Sequence, residues 1–371
     1  MSSHISHRRK LPGVQIEVSR ARVRLALVGP MVGGNAGRVT TQGERLAKLF
    51  EEAGYSVISV SKSPNRYYRL LDIIWTLIYR NREIDFHILQ VFGGPSFVVE
   101  DAASLISRIF GHKIMMIMRG GEMPVFWTRY PRWCQRVMDR ADAIITPSKF
   151  LQRLMTQHGF ASTVIPNIIE LDAYRFRHRE RLQPRLLWMR AFHPQIYNPA
   201  MAIRVFAKIK QLYPEATLVM GGQHDKAEED VKQLAAELNV AASVRFAGFL
   251  TMECKQRESA AADVFLNTNN IDNMPVSVVE AFAHGLPVVA TNVGGIPDLI
   301  THEETGLLVP ADDDDAMVAA IVRLLDDPAL AGRLSANGRA YAKSCTWSSV
   351  LPEFQKIMSQ LNDRETAKEV V

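Results

Sequence analysis

Continuous apolar runs alternate along this chain with amphipathic segments. Residues 23–29, VRLALVG, form an apolar run that stops at glycine, which is typical of a strand buried on both faces. Residues 38–54 place their apolar side chains on one helical face and end at Gly54, a good C-cap. Residues 55–61 form the next apolar run. A strand, a glycine-rich loop, a helix and a second strand predict a βαβ unit and therefore a parallel sheet.

The alternation runs through two sets of elements, which a stretch rich in proline and charge separates. The second set starts at RLLWMR, residues 185–190, and the last amphipathic segment is a predicted helix at 348–361. We therefore predict an α/β protein with two doubly wound, Rossmann-like domains. The predicted units are a flexible leader, an N-terminal domain, a linker, a C-terminal domain and a terminal helix with its tail: 1–21, 22–165, 166–184, 185–345 and 346–371.

Composition agrees with two ordinary globular cores. The chain has 371 residues, of which 47% are hydrophobic and 22% charged. The net charge of +5 is mild, and no lysine- and arginine-rich block is interleaved with aromatics, so a nucleic-acid partner is not expected. The three cysteines are far apart and lack metal-ligand spacing, which favours reduced cytosolic thiols. Neither a secretory signal nor an apolar run of membrane-spanning length is predicted.

The most informative stretch is DNMPVSVVEAFAHGLPVVATNVGGIPD, residues 272–298. Pro275 suits the first turn of a helix, and Gly285 is a natural left-handed C-cap. The first amides of such a helix are unpaired and carry the positive end of its dipole, which makes an anion site best filled by phosphate. The amides concerned are those of Val276, Ser277 and Val278.

Two carboxylates flank this predicted phosphate site. Glu280 lies about 7 Å along the helix axis from Pro275, within reach of a group attached to the phosphate. A carboxylate that accepts hydrogen bonds from two vicinal hydroxyls commonly holds ribose. Asp272, on the preceding loop, would face the other side of the phosphate. The alternative is that Asp272 is only a turn or cap residue and that acids near a helix start only stabilise the helix.

The same stretch resembles the E-x7-E signature of the retaining, GT-B-fold glycosyltransferases of family 4. PSKFL…GF…TVIPNIIELDAYRF resembles the inter-domain segment of that family. TGLLVPADDDDAMVAAI and RAYAKSCTWSSV resemble its C-terminal motifs. The resemblance extends from about residue 23 to residue 360. It implies two Rossmann-like domains that face each other across a cleft, with the C-terminal helix returning to the first domain.

The resemblance also implies roles for individual residues. Glu280 would bind the ribose hydroxyls, and Asp272 would contact the donor sugar. Arg190, at the end of RLLWMR, would bind the diphosphate and stabilise its departure. The backbone that would hold the diphosphate is that of Pro275, Val276 and Ser277. The loop GPMVGGNAG borders donor and acceptor in the family, so Gly33 and Gly34 would let the backbone approach the sugar; the alternative is a tight turn without a ligand.

Four positions depart from the family pattern. The leading carboxylate is Asp272 rather than glutamate. The usual lysine about five positions after Arg190 is absent; His193 is a candidate replacement, with a structural role as the alternative. Arg119 stands where the family often has a histidine, and it either contacts the sugar or acceptor or is a loop arginine. Ile168 replaces a glycine, which predicts a stiffer linker.

Two further segments have competing interpretations. The acids 312–315, DDDD, contain a D-x-D pattern, but they open a predicted helix, where acids complement the dipole, so no metal site is expected. Residues 66–82, RYYRLLDIIWTLIYRNR, combine basic ends with an aromatic and apolar helix. This helix either packs in the domain with solvated ends or lies on a membrane as a peripheral contact.

We predict a metal-independent, retaining hexosyltransferase that needs no cofactor. It would move a sugar from a nucleoside diphosphate carrier, expected to be UDP, to a hydroxyl of a glycan or lipid-linked acceptor in polysaccharide, lipopolysaccharide or other glycoconjugate synthesis. The C-terminal domain would bind the donor and the N-terminal domain the acceptor. The predicted location is cytoplasmic, with the inner face of the membrane as an alternative. One alternative function is an inactive nucleotide-sugar-binding module. A nicotinamide-dependent oxidoreductase would need a GxGxxG fingerprint, which is absent.

Overall fold

A computed structural model of the chain describes residues 23–35, 40–223 and 226–369. The predicted leader, 1–21, and the end of the glycine loop at 36–37 lie outside these residues. Within the described part of the chain, no helix is both long enough and apolar enough to cross a lipid bilayer.

Two parallel six-stranded sheets form the frame of the molecule. The strands of the first sheet are β1 (Arg24–Val28), β2 (Ser56–Val60), β3 (Phe86–Val91), β4 (Lys113–Met118), β5 (Ala143–Thr146) and β6 (Thr163–Val164). Those of the second are β7 (Arg185–Met189), β8 (Thr217–Gly221), β9 (Val244–Gly248), β10 (Val264–Asn267), β11 (Val288–Thr291) and β12 (Leu307–Val309). Their spatial orders are β2-β1-β3-β4-β5-β6 and β12-β11-β10-β7-β8-β9. The predicted α/β architecture is confirmed.

Helices connect the strands. The first half of the chain contains α1 (Gln42–Glu52), α2 (Arg66–Tyr79), α3 (Phe97–Ile109), α4 (Met123–Arg129), α5 (Pro131–Met138) and α6 (Lys149–Gln157). The second half contains α7 (Pro194–Tyr197), α8 (Pro199–Leu212), α9 (Lys226–Glu237), α10 (Met252–Ala261), α11 (Val276–His284), α12 (Ile296–Leu299), α13 (Asp314–Asp326), α14 (Pro328–Ser344) and α15 (Trp347–Glu369). The domain boundaries drawn from the sequence stay predictions.

Local sequence signals account for most of these elements. The first strand is buried along nearly its whole length, as its unbroken apolar run predicts. The following helix, α1, starts at Thr41, whose hydroxyl accepts from the amide of Glu44 while the Glu44 carboxylate accepts from the amide of Thr41. The first predicted βαβ unit is therefore confirmed.

The connection between β4 and β5 is helical from 123 to 138. Two short helices, α4 and α5, occupy this region, and Pro131 opens the second one. Proline cannot continue a helix because it lacks an amide and clashes with the preceding turn. The sequence prediction also missed α14, which has many alanines and glycines and no strong apolar stripe.

The last helix, α15, returns to the first sheet, as predicted. Its buried side chains belong to the hydrophobic core that also contains Leu25 and Phe50 from β1 and α1. The rings of Phe354 and Trp347 pack edge-on against Phe50, with centroids 5.4 and 5.1 Å away. The C-terminus of the chain is thereby attached to the opposite half of the molecule from the one it follows in sequence.

The order of the second sheet places a crevice between β7 and β10. Strand order reverses at this pair, because the chain proceeds outward from β7 in one direction and then returns to start from β10 in the other. Open α/β sheets bind ligands outside the carboxyl ends of the strands at such a switch point. Both Arg190, directly after β7, and the loop from β10 to α11 lie at this end of the sheet.

Candidate functional site

Arg190 and Asp272 meet at the switch point of the second sheet. Their side chains form an ion pair. Asp272 also accepts hydrogen bonds from the backbone N–H of Asn273 at 2.7 Å and from Nδ2 of Asn269 at 2.7 Å. The Arg190 guanidinium lies over the ring of Tyr197, 4.4 Å from its centroid. Burial lowers the pKa of Arg190, and the Tyr197 and Glu280 side chains oppose that shift. The residue assigned to the diphosphate is thus in contact with the one assigned to the donor sugar.

The start of α11 differs from its prediction by one residue. Pro275 is the N-cap and Val276 the first helical residue, because Pro275 has an extended ψ of 113°. The amide of Val278 is not free, since it donates to the Pro275 carbonyl at 3.1 Å. The amides of Val276 and Ser277 donate to no group in the described ranges. The left-handed C-cap at Gly285 is confirmed, with φ of 74°.

Further polar atoms beside this helix start are also without partners. The Ser277 hydroxyl and Nε of Arg190 are buried and bond to no atom of residues 23–35, 40–223 and 226–369. Buried polar groups are normally paired, so a group of unpaired donors favours a ligand that accepts hydrogen bonds. Helix dipole and guanidinium both favour an anion at this place.

Glu280 is buried but faces polar side chains. Its carboxylate accepts from Nζ of Lys255 at 2.8 and 2.9 Å and from the hydroxyl of Tyr174 at 3.1 Å. Burial, followed by the nearby Glu280 charge, raises the pKa of Tyr174, so its hydroxyl stays protonated and donates. The sequence analysis missed both partners. Lys255 lies on α10 with no local motif to mark it, and Tyr174 lies in the quoted inter-domain segment, which assigned it no role.

Two glycines explain why the loop around Asp272 can pack so tightly. Gly294 has φ of 55°, which side chains rarely adopt, and a Cβ there would overlap the carbonyl oxygen of Asp272. A Cβ on Gly295 would overlap the carbonyl oxygen of Asn273. The amide of Gly295 donates to the Asp272 carbonyl at 3.0 Å. The Gly-Gly-Ile-Pro segment therefore packs directly against the backbone of the loop that carries Asp272.

Arg119 lies at the carboxyl end of β4 and approaches the same loop from the first sheet. Its Nε donates to Oε1 of Gln90 at 2.7 Å, and one terminal nitrogen donates to Oδ1 of Asn167 at 2.6 Å. Burial lowers its pKa to about 10, so it remains cationic at neutral pH. The Asn167 amide in turn donates to the carbonyl of Met274 at 3.0 Å. Arg119 is therefore connected to the α11 mouth through one side chain.

The remaining predicted site residues lie at the edges of this region. The amide of Gly33 is engaged, because it donates to Oε1 of Glu44 at 2.8 Å, and a Cβ would collide with Glu44 and Thr40. Gly34 is exposed with open space around it. His193 is exposed on the turn after Arg190, and its ring has no bonded partner within the described part of the chain.

The acidic run at 312–315 opens α13, as predicted. Asp313 is the N-cap and accepts from the amide of Ala316 at 2.8 Å. Asp312 and Asp314 pair with Arg204, both at 2.7 Å, and Asp315 pairs with Lys208 at 2.6 Å. Across the described residues, no group of three or more histidine, cysteine, aspartate or glutamate side chains is arranged to hold a metal ion.

Comparison with known proteins gives the same picture. Residues 183–327 match the family described as glycosyl transferases group 1. A GDP-mannose-dependent α-(1-6)-phosphatidylinositol monomannoside mannosyltransferase of Mycolicibacterium smegmatis is 26% identical over 269 residues, which are 67% of this chain and 68% of that protein. The lipopolysaccharide core biosynthesis mannosyltransferase LpsB of Rhizobium meliloti is 36% identical over 121 residues, 32% of this chain and 34% of LpsB.

Solved structures are similar over most of the chain. Sucrose-phosphate synthase from Thermosynechococcus elongatus superposes with a TM-score of 0.79 at 19% identity, covering 92% of this chain and 100% of that one. HepE of Anabaena, solved in complex with UDP, gives a TM-score of 0.70 at 18% identity over the same shares. At such identities the likeness concerns the fold. The match of residues 183–327, the curated relatives and the fold likeness together support a glycosyltransferase similar to the glycosyl transferases group 1, family 4, and the two-sheet frame is that of the GT-B fold.

Proposed function

We propose that this chain is an active, retaining glycosyltransferase that moves a sugar from a nucleoside diphosphate to a hydroxyl group. The observation that carries the proposal is the set of unpaired donors at the α11 mouth. The Val276 and Ser277 amides, the Ser277 hydroxyl and Nε of Arg190 have no partner among the described residues. Their positive character and their place at the switch point support a diphosphate as ligand.

In this proposal, donor binding exchanges the partner of Arg190. The arginine leaves Asp272 and forks onto the diphosphate, a geometry that guanidinium matches well. Asp272 then accepts from hydroxyls of the donor sugar. Glu280 accepts from the ribose hydroxyls, with Lys255 and Tyr174 holding the carboxylate. Lys255 supplies a positive charge near the site, which the family's usual lysine does not provide here. His193 remains a candidate for the same role.

The transfer itself is proposed to proceed on one face of the sugar. The bond between the anomeric carbon and the diphosphate oxygen breaks, and both electrons leave with the diphosphate. The acceptor oxygen bonds to the same face of the oxocarbenium-like carbon, and its proton passes to the departing phosphate oxygen. Arg190 and the helix amides stabilise the growing negative charge. Because cations pair with both Asp272 and Glu280, neither is proposed as a covalent nucleophile.

The nucleotide base of the donor and the identity of the acceptor can both be determined by direct assay. Uridine is the nucleoside expected from the sequence, and one similar structure, that of HepE, was solved in complex with UDP. Two curated relatives carry names that specify GDP-mannose and phosphatidylinositol monomannosides, and a third is named for lipopolysaccharide core synthesis. These names support a glycan or lipid-linked acceptor. We propose Arg119, Gly33 and Gly34 as the border of the acceptor site.

A peripheral membrane contact, at the inner face of a cytoplasmic membrane, is part of the proposal. The outward face of α2 carries six large exposed hydrophobic side chains: Tyr67, Tyr68, Leu71, Trp75, Ile78 and Tyr79. Four arginines flank this face; Asp72 is the one acid within the helix, and Glu83 after it pairs with Arg80. Tyrosine and tryptophan favour the headgroup layer, and arginines favour anionic lipids. The packed-helix interpretation accounts only for the inner face, where Ile73 and Leu77 are buried.

A thermal-shift panel tests the function. The purified protein is heated with UDP, GDP, ADP and their common sugar conjugates, since a ligand that binds only the folded state raises the midpoint. We expect one nucleoside diphosphate series to stabilise the protein and its sugar conjugate to be hydrolysed slowly. Arg190→Ala should lower that hydrolysis by about 100-fold or more. If no member of the panel shifts the midpoint, the proposal fails.

The inactive-module alternative gives a different result in the same assay. It is favoured by one observation, the mutual pairing of Arg190 with Asp272, which neutralises both side chains in the donor-free site. Tight nucleotide binding without turnover of any donor, over a broad acceptor panel, would support the module.

A further inference from the structure

One short segment between the two sheets bonds to residues of the candidate site in both halves of the molecule. We call residues 167–174 the clamp segment. Ile168, which stands where the family has glycine, is buried, and both of its backbone polar groups are bonded to α1. Its amide donates to Oε1 of Gln42 at 2.9 Å, and its carbonyl accepts from Nε2 of Gln42 at 3.1 Å and from Arg45 at 2.8 Å. The clamp segment is thereby attached to the first sheet's layer.

Asn167 connects the first sheet to the α11 mouth. Its Oδ1 accepts from Arg119 at 2.6 Å, and its Nδ2 donates to the Met274 carbonyl at 3.0 Å. Its backbone N–H donates to Sδ of Met274 at 3.2 Å. Met274 directly precedes Pro275, so this bond holds the residue from which the helix mouth starts. The side chain of Asn167 is 8% exposed, so water does not readily replace these bonds.

The chemistry of the two contacts selects an amide at position 167. An arginine can only donate and a carbonyl can only accept, so the bridging side chain must both accept and donate. Aspartate accepts from Arg119 but cannot donate to Met274. Leucine has the right size but does neither. Glutamine has the right groups but is one methylene longer, in a buried site with close neighbours.

Tyr174, at the other end of the clamp segment, donates to Oε1 of Glu280. The clamp segment therefore bonds to α1, to Arg119, to the residue before the helix mouth and to the carboxylate assigned to ribose. Two of these contacts belong to the first sheet's half and two to the second. No single rotation of one half leaves all four intact.

We propose that Asn167 is a positioning residue of the transfer reaction. It orients Arg119 toward the cleft and at the same time holds the loop that carries Asp272, so that the donor site is complete only when the two halves are closed. The two bonds hold Nε and one terminal nitrogen of Arg119, and the other terminal nitrogen has no partner among the described residues, which leaves it able to donate to a ligand. This inference rests on the proposed function only for the part that concerns turnover.

Two variants separate the two bonds of the bridge. Asn167→Asp keeps an acceptor for Arg119 and places a second carboxylate oxygen against the Met274 carbonyl. Asn167→Leu removes both bonds. Arg153→Ala is the matched control, because the Arg153–Asp298 pair at 3.1 Å also joins the two halves beside the loop, but its arginine is exposed and the pair does not involve Arg119 or Met274.

Amide hydrogen exchange tests the loop without any substrate. The amides of Asn273 and Gly295, which bond within the loop, report its order. We expect exchange in peptides covering 272–295 to become about tenfold faster in both Asn167 variants and to stay unchanged in Arg153→Ala. Wild-type exchange in both variants would overturn the proposal, whatever nucleotide the protein binds.

Turnover tests Arg119. With the donor that the thermal-shift panel identifies, Asn167→Leu should lower kcat of donor hydrolysis by about tenfold, whereas Asn167→Asp should retain most of it, because the carboxylate still holds Arg119. A merely structural asparagine would make both variants lose kcat in proportion to their loss of thermal stability, and that result would overturn the proposal. If the wild-type protein binds no nucleotide, the proposed function fails and the exchange experiment alone decides the role of Asn167.

Discussion

Each carboxylate of the candidate site already has a cationic partner. Asp272 pairs with Arg190, and Glu280 pairs with Lys255. Breaking a buried ion pair from one side leaves an uncompensated charge, so such pairs change partner more readily than they dissolve. A diphosphate sugar offers replacement partners, because its phosphates attract the arginine and its hydroxyls donate to the carboxylates. The pairs seen here are therefore suited to the donor-free site.

The assignment of Glu280 to ribose makes a prediction about nucleotide selectivity. The wild-type protein should bind its preferred ribonucleotide about tenfold or more tightly than the 2′-deoxy analogue, because a hydroxyl that donates to a charged carboxylate contributes about 1.5–3 kcal/mol. Glu280→Gln should lose most of this ratio, since the amide is a weaker acceptor. Isothermal titration with each nucleotide and its 2′-deoxy form measures the ratio.

Glu258→Gln is the control for that experiment. Glu258 of α10 is also a buried glutamate, and it pairs with Arg245 and Arg257. It lies outside the proposed site. Its loss should lower stability and leave the nucleotide ratio intact. Equal ratios in wild type and Glu280→Gln would remove Glu280 from the ribose site.

A buried glutamate of the first half, Glu100, makes the free energy of unfolding depend on pH. It is buried at the start of α3, where Oε1 accepts from the Phe92 amide at 3.1 Å and Oε2 has no partner in the described part of the chain. Burial raises its pKa to about 8, against an ordinary value of 4.5. Between these values the unfolded chain binds fewer protons than the folded one, so this group's stabilisation is complete below pH 4.5 and is lost as pH rises toward 8.

We therefore expect Glu100→Gln to gain stability relative to the wild type as pH rises. The difference between their melting midpoints should increase from pH 5 to pH 8 and then level off, because glutamine does not titrate. Thermal melts of both proteins at matched ionic strength measure this difference. Parallel midpoints over the whole range would mean that Glu100 titrates normally in the folded protein.

At the scale of elements, α11 depends on a helix that the sequence analysis did not find. Gly338 of α14 lies against Phe282, and a Cβ there would come within 2.7 Å of its ring. The rings of Phe282 and Tyr341 also pack edge-on, 6.0 Å apart. α14 therefore supports the buried face of α11 and fixes the direction of its amides. The small residues that allow this approach are the same ones that conceal the helix in sequence.

The outward face of α2 predicts binding to anionic lipid. The segment that precedes this helix bonds to the glycine loop of the cleft, since the Met31 amide donates to the Ser61 carbonyl at 2.9 Å. Trp75 and Tyr79, 69% and 75% exposed, stack at 5.9 Å and form the centre of the face. We expect the protein to sediment with vesicles of phosphatidylglycerol and phosphatidylcholine.

The double variant W75S/Y79S should lower this partitioning by about tenfold or more, because burial of each aromatic side chain contributes about 1.5–3 kcal/mol. Leu212→Ser, which removes an exposed hydrophobic side chain from the second half, should leave it unchanged. Equal sedimentation of the double variant would show that another surface meets the lipid.

At the scale of the whole molecule, α15 and the clamp segment cross between the halves. Phe354 is buried in the core of the first sheet although it follows the second sheet in sequence. We expect Phe354→Ala to lower the melting midpoint by about 10 °C, since deleting a buried phenylalanine costs about 3–5 kcal/mol. Nucleotide affinity should stay near that of the wild type, because α11 is not touched.

Gln355→Ala serves as the control for Phe354→Ala. It removes only an exposed hydrogen bond to the Tyr55 hydroxyl, at 3.3 Å, and should shift the midpoint little. If Phe354→Ala melts like Gln355→Ala, α15 does not hold the first half.

Much of this arrangement could be predicted from local sequence. The buried strands are continuous apolar runs, and Thr41, Gly285 and Asp313 stand at helix ends where their chemistry predicts them. The α11 mouth with Glu280 downstream follows from one proline, one glycine and helix geometry. What failed locally was the start of α11 by one residue and α14 altogether, because extended backbone at Pro275 and small-residue packing leave no periodic signal.

The sequence by itself determined the two sheets, the phosphate-favouring helix start and the resemblance to a glycosyltransferase family, because strand burial, helix capping and short motifs depend on residues close together in the chain. Only the tertiary structure decided which side chains meet there. Lys255 and Tyr174 reach Glu280 from 25 and 106 residues away, and Asn167 reaches Met274 from 107. Such pairings depend on how segments that are distant in the chain pack in three dimensions, and the local pattern of the sequence does not record this.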